Sequence, residues 1–236
     1  MNRPLMLDPR AVPVAGTDEH LPPVPSAQLR AAALRRRFAA APVWQPEFTG
    51  DGRPYASREP AQAAVLVALV QRPPTADDDG LHVLLTLRTE HLRDHAGQIS
   101  FPGGRCEPED AGPAATALRE AEEEVGLPQA QVEVIGQLPS YTTVTSFVVT
   151  PVVALVHAPC ALALDSFEVA EAFEVPLAWL MNPAHHRRHL FSHEGHQRHF
   201  LSMPYTGQGP DGQPREYFIW GATAAMLRNL YRFLSA

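Results

Sequence analysis

Glu120, Glu122, Glu123 and Glu124 place four carboxylates within five positions, and the pair Gly103-Gly104 ends sixteen residues before the first of them. Like charges packed onto two adjacent helical turns repel one another unless a cation sits among them. A Mg²⁺ or Mn²⁺ ion, which takes several carboxylate and carbonyl oxygens, suits such a cluster. The glycines permit a tight turn and close approach of a ligand, and the carbonyl of Gly103 or Gly104 can add a further oxygen. The chemistry in view is metal-assisted work on a phosphorylated substrate. The plainer alternative is a solvated glutamate run paired with Arg119 and neighbouring basic groups.

The element that must carry these carboxylates is a helix over 111–125, stopped by Gly126 and Pro128. On a wheel of about 100° per residue with Glu120 at zero, Ala117, Ala121, Val125 and Leu118 form an apolar stripe between roughly 60° and 160°. Glu124 falls near ~40° and Glu123 near about −60°, whereas Glu122 lies near ~200°. Three carboxylates therefore share one flank of the buried face and Glu122 points elsewhere. Arg119 is placed to orient one of those glutamates.

The surrounding chain has to build a scaffold. Its 236 residues, 45% hydrophobic and 19% charged, suffice for one full core. No apolar run approaches the ~20 residues that span a bilayer, and Met1-Asn2-Arg3-Pro4-Leu5 lacks the apolar stretch of a secretory signal. Two cysteines, Cys106 and Cys160, give no disulfide framework and fit a reducing, cytoplasmic setting. A net charge of −7 speaks against a nucleic-acid footprint, though not against a small phosphorylated ligand, because bound metal reverses the local sign.

Residues 1–60 read as a Pro-rich extended arm, with a helix over 27–41 marked by Leu29, Leu34 and Phe38. The main domain, 61–236, opens on the apolar run Ala63–Val70, predicted as a strand buried on both faces. A turn at Asp77-Asp78-Asp79-Gly80 leads to a strand over 82–88. Further strands are predicted over 132–136, 147–156, 188–201 (a polar, His-rich pair) and 216–220, with short segments at 172–176 and 178–181. A helix over 222–234 closes the chain. Pro151 suggests an edge position or a bulge. The mixed order implies an α/β fold without regular βαβ alternation.

Gly104-x5-Asp110-x8-Arg119-Glu120-Ala121-x-Glu123-Glu124-x-Gly126-Leu127 resembles the Nudix box, the signature of hydrolases acting on nucleoside diphosphates linked to another moiety. The usual box has Glu where Asp110 stands and one residue fewer before the arginine, which displaces Asp110 from that glutamate's place. Upstream, Leu84-Leu85-Thr86-x-Arg88-Thr89-x3-Arg93-x3-Gly97-x3-Phe101-Pro102-Gly103-Gly104 resembles the extra motif of the coenzyme A pyrophosphatase branch, departing mildly from it at Arg88-Thr89. Runs at 146–153, 167–177 and 220–224 look like the same branch.

The resemblance implies an α/β/α sandwich around a mixed β-sheet, preceded by the N-terminal arm and helix. It implies hydrolysis of the diphosphate of coenzyme A to 3′,5′-ADP and 4′-phosphopantetheine. Glu120 and Glu124 are then expected as metal ligands with a Gly103 or Gly104 carbonyl, and Glu123 as third ligand or general base. Arg93, Gly97, Phe101 and Gly103 are expected at the substrate. For Arg93 the alternative is a loop-holding pair with Asp94 or Glu90. Glu171 is a weaker candidate ligand, otherwise a surface acid. His185, His186, His189, His193, His196 and His199 crowd one segment, but its Pro183 and Gly195 argue against a clean zinc-binding helix. Other Nudix substrates (ADP-ribose, NADH, a nucleoside triphosphate) compete with coenzyme A. A non-catalytic ligand sensor competes with an enzyme, although it would not need all three glutamates. Residues 1–60 are compatible with covering the site, joining a homodimer or hanging free.

Overall fold

The computed structural model describes residues 8–51, 59–75, 80–91, 97–157, 161–193 and 196–236, with the side chains of 193 and 196 outside that description. In chain order the elements are β1 (Val14–Thr17), α1 (Ala31–Ala39), β2 (Ala61–Gln71), β3 (Leu81–Arg88), β4 (Ile99–Ser100), β5 (Gly103–Arg105) and α2 (Pro113–Val125). There follow β6 (Val132–Gln137), β7 (Tyr141–Thr142), β8 (Phe147–Val156), β9 (Val169–Pro176), the single turn α3 (Leu177–Leu180), β10 (Arg187–His193), β11 (His196–Gln208), β12 (Pro214–Trp220) and α4 (Gly221–Ser235).

β2 is buried on both faces, and its alternation sorts the core into two layers. Ala64, Leu66, Ala68 and Val70 face α2 together with Val152, Ala154 and Val156 of β8. Ala63, Val67 and Leu69 face the opposite layer, where α4 and the second sheet pack. Side chains on a strand alternate faces, so an unbroken apolar run is what a central strand needs. β2 pairs parallel with β8 over ten residues, Ala61 opposite Phe147 through Val70 opposite Val156. Its antiparallel partners are β3 and β5, and β9 extends the sheet beyond β3. The sheet is therefore mixed and covered on both faces, an α/β sandwich.

Pro151 corrects the edge expectation. β8 is central, and Pro151 falls where its antiparallel neighbour changes from β7, ending opposite Val149, to β6, beginning opposite Val152. The missing N–H thus costs no ladder bond to either, while the Pro151 carbonyl still accepts from Leu138 N–H at 3.0 Å.

The second sheet runs β1-β10-β11-β12. The first sixty residues contribute more structure than an extended arm suggests: β1 pairs with β10, and Leu29 and Leu34 are buried. Buried Arg228 of α4 holds Glu47 at 2.7 Å and Asp18 at 3.4 Å, and Arg188 of β10 meets the same two carboxylates. Such a network fixes geometry more than it stabilises, since desolvation offsets most of the attraction. The Asp77–Asp79 turn lies outside the described residues.

Candidate active site

α2 starts at Pro113, whose fixed φ suits the first helical position, and ends at Gly126 in a left-handed conformation at φ 66°. Between them Ala117, Ala121 and Val125 bury against the sheet. Glu120 and Glu124 each precede one of those anchors by one position, so they lie at the helix's boundary with β5. Glu124 is buried; Gly103 N–H donates to its Oε2 at 3.1 Å, and Arg88 Nη1 lies 3.4 Å from its Oε1. The Glu120 carboxyl rests directly over Gly104, where a Cβ would come within 2.4 Å of the carboxyl carbon. Only a glycine leaves that space.

Arg119 is a positioning hub. It donates to both oxygens of Asp110 at 3.1 Å and to the Arg105 carbonyl, and it reaches Glu120 at 3.0 Å and Glu123 at 3.1 Å. Its bonds hold the Asp110 carboxyl far below the usual carboxylate range. Asp110 also accepts from Thr116 Oγ1 and Glu107 N–H, so it ties the loop to the helix and has no share in the carboxylate cluster. Glu123 is largely solvent-exposed, while Glu122 turns away and accepts from Gln129.

Glu168 completes the cluster, a residue that sequence reasoning passed over in favour of Glu171. It stands 3.7 Å from Arg88, and its charge raises the pKa of both Glu120 and Glu124. The turn before β9 positions it, with its carbonyl accepting from Thr89 N–H. That contact depends on β3–β9 pairing, which leaves no local signal in the sequence. Glu171 is not a surface acid: it is buried, and its carboxylate is taken up by Arg215 and the Tyr217 hydroxyl.

Burial, offset by Gly103 N–H and Arg88 and reinforced by Glu168 and Glu120, raises the Glu124 carboxyl to about 7. Burial likewise raises Glu120, against the pull of Arg119. Among the described residues no three carboxylate, imidazole or thiol groups converge tightly enough to form a finished metal cage. The donor set nonetheless fits a divalent ion: hard oxygens, two of them on desolvated carboxylates that repel each other, beside a glycine backbone free of side chains.

The raised Glu124 has a measurable consequence. In metal-free protein a carboxyl whose folded pKa lies above its ordinary 4.5 contributes stability at low pH that is lost as pH rises through about 7. Glu124→Gln should match wild type near pH 4 and exceed it by about 1–3 kcal/mol at pH 8, roughly 2–10 °C in calorimetry. Buried His186, held neutral with a pKa lowered to about 4, biases both proteins alike in the opposite sense. A stability difference independent of pH would contradict the assignment.

Next to the carboxylates opens a cavity of about 440 Å³. Arg88, Gly103, Gly104 and Arg105 line one side, and Asp51, Arg198, Phe147 and Trp220 line the other. Phe101 is 2% exposed and belongs to the core, and it also lines the cavity. Gly97, at φ 66°, lies in a neighbouring polar cleft. Arg93 lies outside the described residues. The described histidines are dispersed. His185 stacks on Trp179, His186 bonds the Leu180 carbonyl, and His189 sits between the Val12 carbonyl and Ser202. They form no zinc site.

The NUDIX domain profile matches residues 60–193. The chain belongs to the Nudix hydrolase family. A Nudix relative named "Uncharacterized Nudix hydrolase NudL" from Shigella flexneri serotype 5b (strain 8401) is 42% identical over 182 residues, covering 75% of this chain and 86% of the relative. Its namesake from Escherichia coli (strain K12) is 41% identical over the same length. Among solved Nudix structures, a MutT/nudix family protein from Enterococcus faecalis aligns with 87% of this chain and 75% of its own at 16% identity and a TM-score of 0.44. Nudix hydrolases as a class work with divalent metal ions on nucleoside diphosphate derivatives. No helix among the described residues is long and apolar enough to cross a membrane.

Proposed function

We propose that this Nudix enzyme hydrolyses the diphosphate bond of coenzyme A or its derivatives, yielding 3′,5′-ADP and 4′-phosphopantetheine or its acyl form. The observation that carries this reading is the placement of residues 84–91 and 97–104, the described parts of the motif resembling the coenzyme A branch. Its strand β3 brings Arg88 against Glu124 and Glu168, and its far end brings Gly103-Gly104 beneath Glu120, all beside the cavity. Described residues of that motif, Arg88, Gly103 and Gly104, thus border the carboxylates and the cavity, which supports the reading.

Glu120 and Glu124 would hold Mg²⁺ or Mn²⁺, with Glu168 and a Gly103 or Gly104 carbonyl available to complete the shell and Glu123 as third ligand or base. The ion supplies charge neutralisation on the diphosphate and a more acidic water. Arg119 fixes the carboxylates of Glu120 and Glu123 from behind, leaving them little reorganisation during reaction. Arg88 faces the cavity and can pair with a phosphate oxygen when Glu124 and Glu168 serve the ion. Glu123, exposed beside Arg119, can take a proton from water.

Incubation with coenzyme A, ADP-ribose, NADH and dGTP, each with Mg²⁺ or Mn²⁺, and product identification by mass tests the reading. Coenzyme A should be cleaved with a kcat/KM at least ~10-fold above the others. Preferential cleavage of another of these compounds would replace coenzyme A as substrate.

A further inference from the structure

We propose that Arg198 of β11 forms a second anion-binding subsite, which receives a phosphate monoester of the substrate separate from the diphosphate under attack. This deepens the coenzyme A reading and rests on it, since the ribose 3′-phosphate is such a group. Four charged side chains line the cavity, the guanidiniums of Arg88, Arg105 and Arg198 and the carboxylate of Asp51. A chain of net charge −7 thus presents a cavity of net positive lining. Such a concave surface concentrates anionic ligands.

The cations divide by position. Arg88 and Arg105 flank the Gly103-Gly104 side, which β5 aligns with Ala63–Val65 of β2. Arg198 comes from the other sheet and meets Asp51 at 3.2 Å, near the start of β8, where Thr143 bonds Phe147 and Phe147 pairs with Ala61. Gly103 is opposite Val65, four residues farther along β2, or roughly 13 Å. The backbone at Gly103 is thus separate from the Asp51–Arg198 end, with Arg105, opposite Ala63, between them.

Arg198 is held yet unsaturated. Asp51 orients one end of its guanidinium, and that carboxylate is itself anchored by the Tyr141 hydroxyl at 2.7 Å and Val144 N–H at 3.3 Å. Arg198 Nε is enclosed and has no hydrogen-bond partner among the described residues. The Arg198 side chain as a whole nevertheless lines the cavity and keeps 26% exposure, so a ligand oxygen can reach its remaining donors. A guanidinium with its orientation fixed and donors to spare suits a phosphate monoester, which offers three acceptor oxygens. Asp51 tempers the attraction and holds one end of the Arg198 guanidinium. The His-rich hairpin therefore reaches the cavity through its arginine.

The test compares coenzyme A with 3′-dephospho-coenzyme A on wild type, Arg198→Met and Arg198→Lys, with titration calorimetry of 3′,5′-ADP against AMP as a direct measure. Wild type should prefer the phosphorylated member of each pair. Arg198→Met should lose about 30-fold in kcat/KM on coenzyme A, chiefly through KM, and under ~3-fold on the dephospho compound, with Arg198→Lys between. Equal losses on both substrates, or no loss on either, would overturn the subsite; binding by Arg198→Lys serves if Arg198→Met does not fold. If neither coenzyme A compound is cleaved, the substrate reading fails alone. The subsite is then scored on NADPH against NADH, where equal rates overturn it.

Discussion

Glu120→Gln and Glu124→Gln should each lower kcat about 10³-fold, some 4 kcal/mol of transition-state stabilisation, while the protein stays folded. Both substitutions keep the shape and an acceptor oxygen, so the Gly103 N–H bond to residue 124 survives. What disappears is the negative charge that a divalent ion needs, at two positions where burial leaves little water to compensate. Isothermal titration with Mn²⁺ should show weakened binding in parallel with the lost rate. Glu123→Gln separates base from ligand: a loss near 10²-fold with metal affinity kept marks a base. Near-normal turnover would remove Glu123 from that role. Wild-type rates and metal dependence in Glu120→Gln would sink its assignment as a ligand.

Adjacent glycines should fail in different ways. In Gly104→Ala the three atoms nearest the new methyl, 2.4–2.6 Å away, all belong to the Glu120 carboxyl, at the end of a flexible side chain. The carboxyl swings aside at small cost, so Tm should move by under ~2 °C while kcat falls about 10²-fold. In Gly103→Ala the methyl meets backbone, the Ala64 carbonyl oxygen at 2.4 Å and Val65 Cα at 2.6 Å, at a φ of 155°. Strands β5 and β2 would have to part, costing about 3 kcal/mol or more and roughly 6–12 °C. Circular-dichroism melts beside steady-state kinetics check both. If Gly104→Ala melts as early as Gly103→Ala, or keeps full activity, the close seat of Glu120 on Gly104 is not functional.

Local pattern carried much of this molecule. The helical stripe of Ala117, Ala121 and Val125 is legible because a 3.6-residue repeat needs no partner to be recognised, and it fixes where Glu120 and Glu124 must point. The β2 run is legible because burial on both faces removes polar residues altogether. Glu168 was not legible, since its approach to Glu124 rests on β9 lying against β3, more than eighty residues distant in the chain. Arg198 escaped notice for the same reason, hidden among histidines that attract more attention. β1 is four residues long, too short to show alternation, and its place follows from β10 rather than from itself.

That short strand has a further consequence, for association between molecules. A sheet edge exposes unpaired N–H and C=O groups and invites another chain to add itself. Without β1, the Arg187–His189 end of β10 would be such an edge. β1 covers it and offers a poor template in turn. It is brief, its register shifts between Val14 and Gly16, and it runs straight into Asp18, locked to Arg188 and Arg228. Residues 14–17 thus shield this stretch of edge from pairing with another chain, a service independent of catalysis.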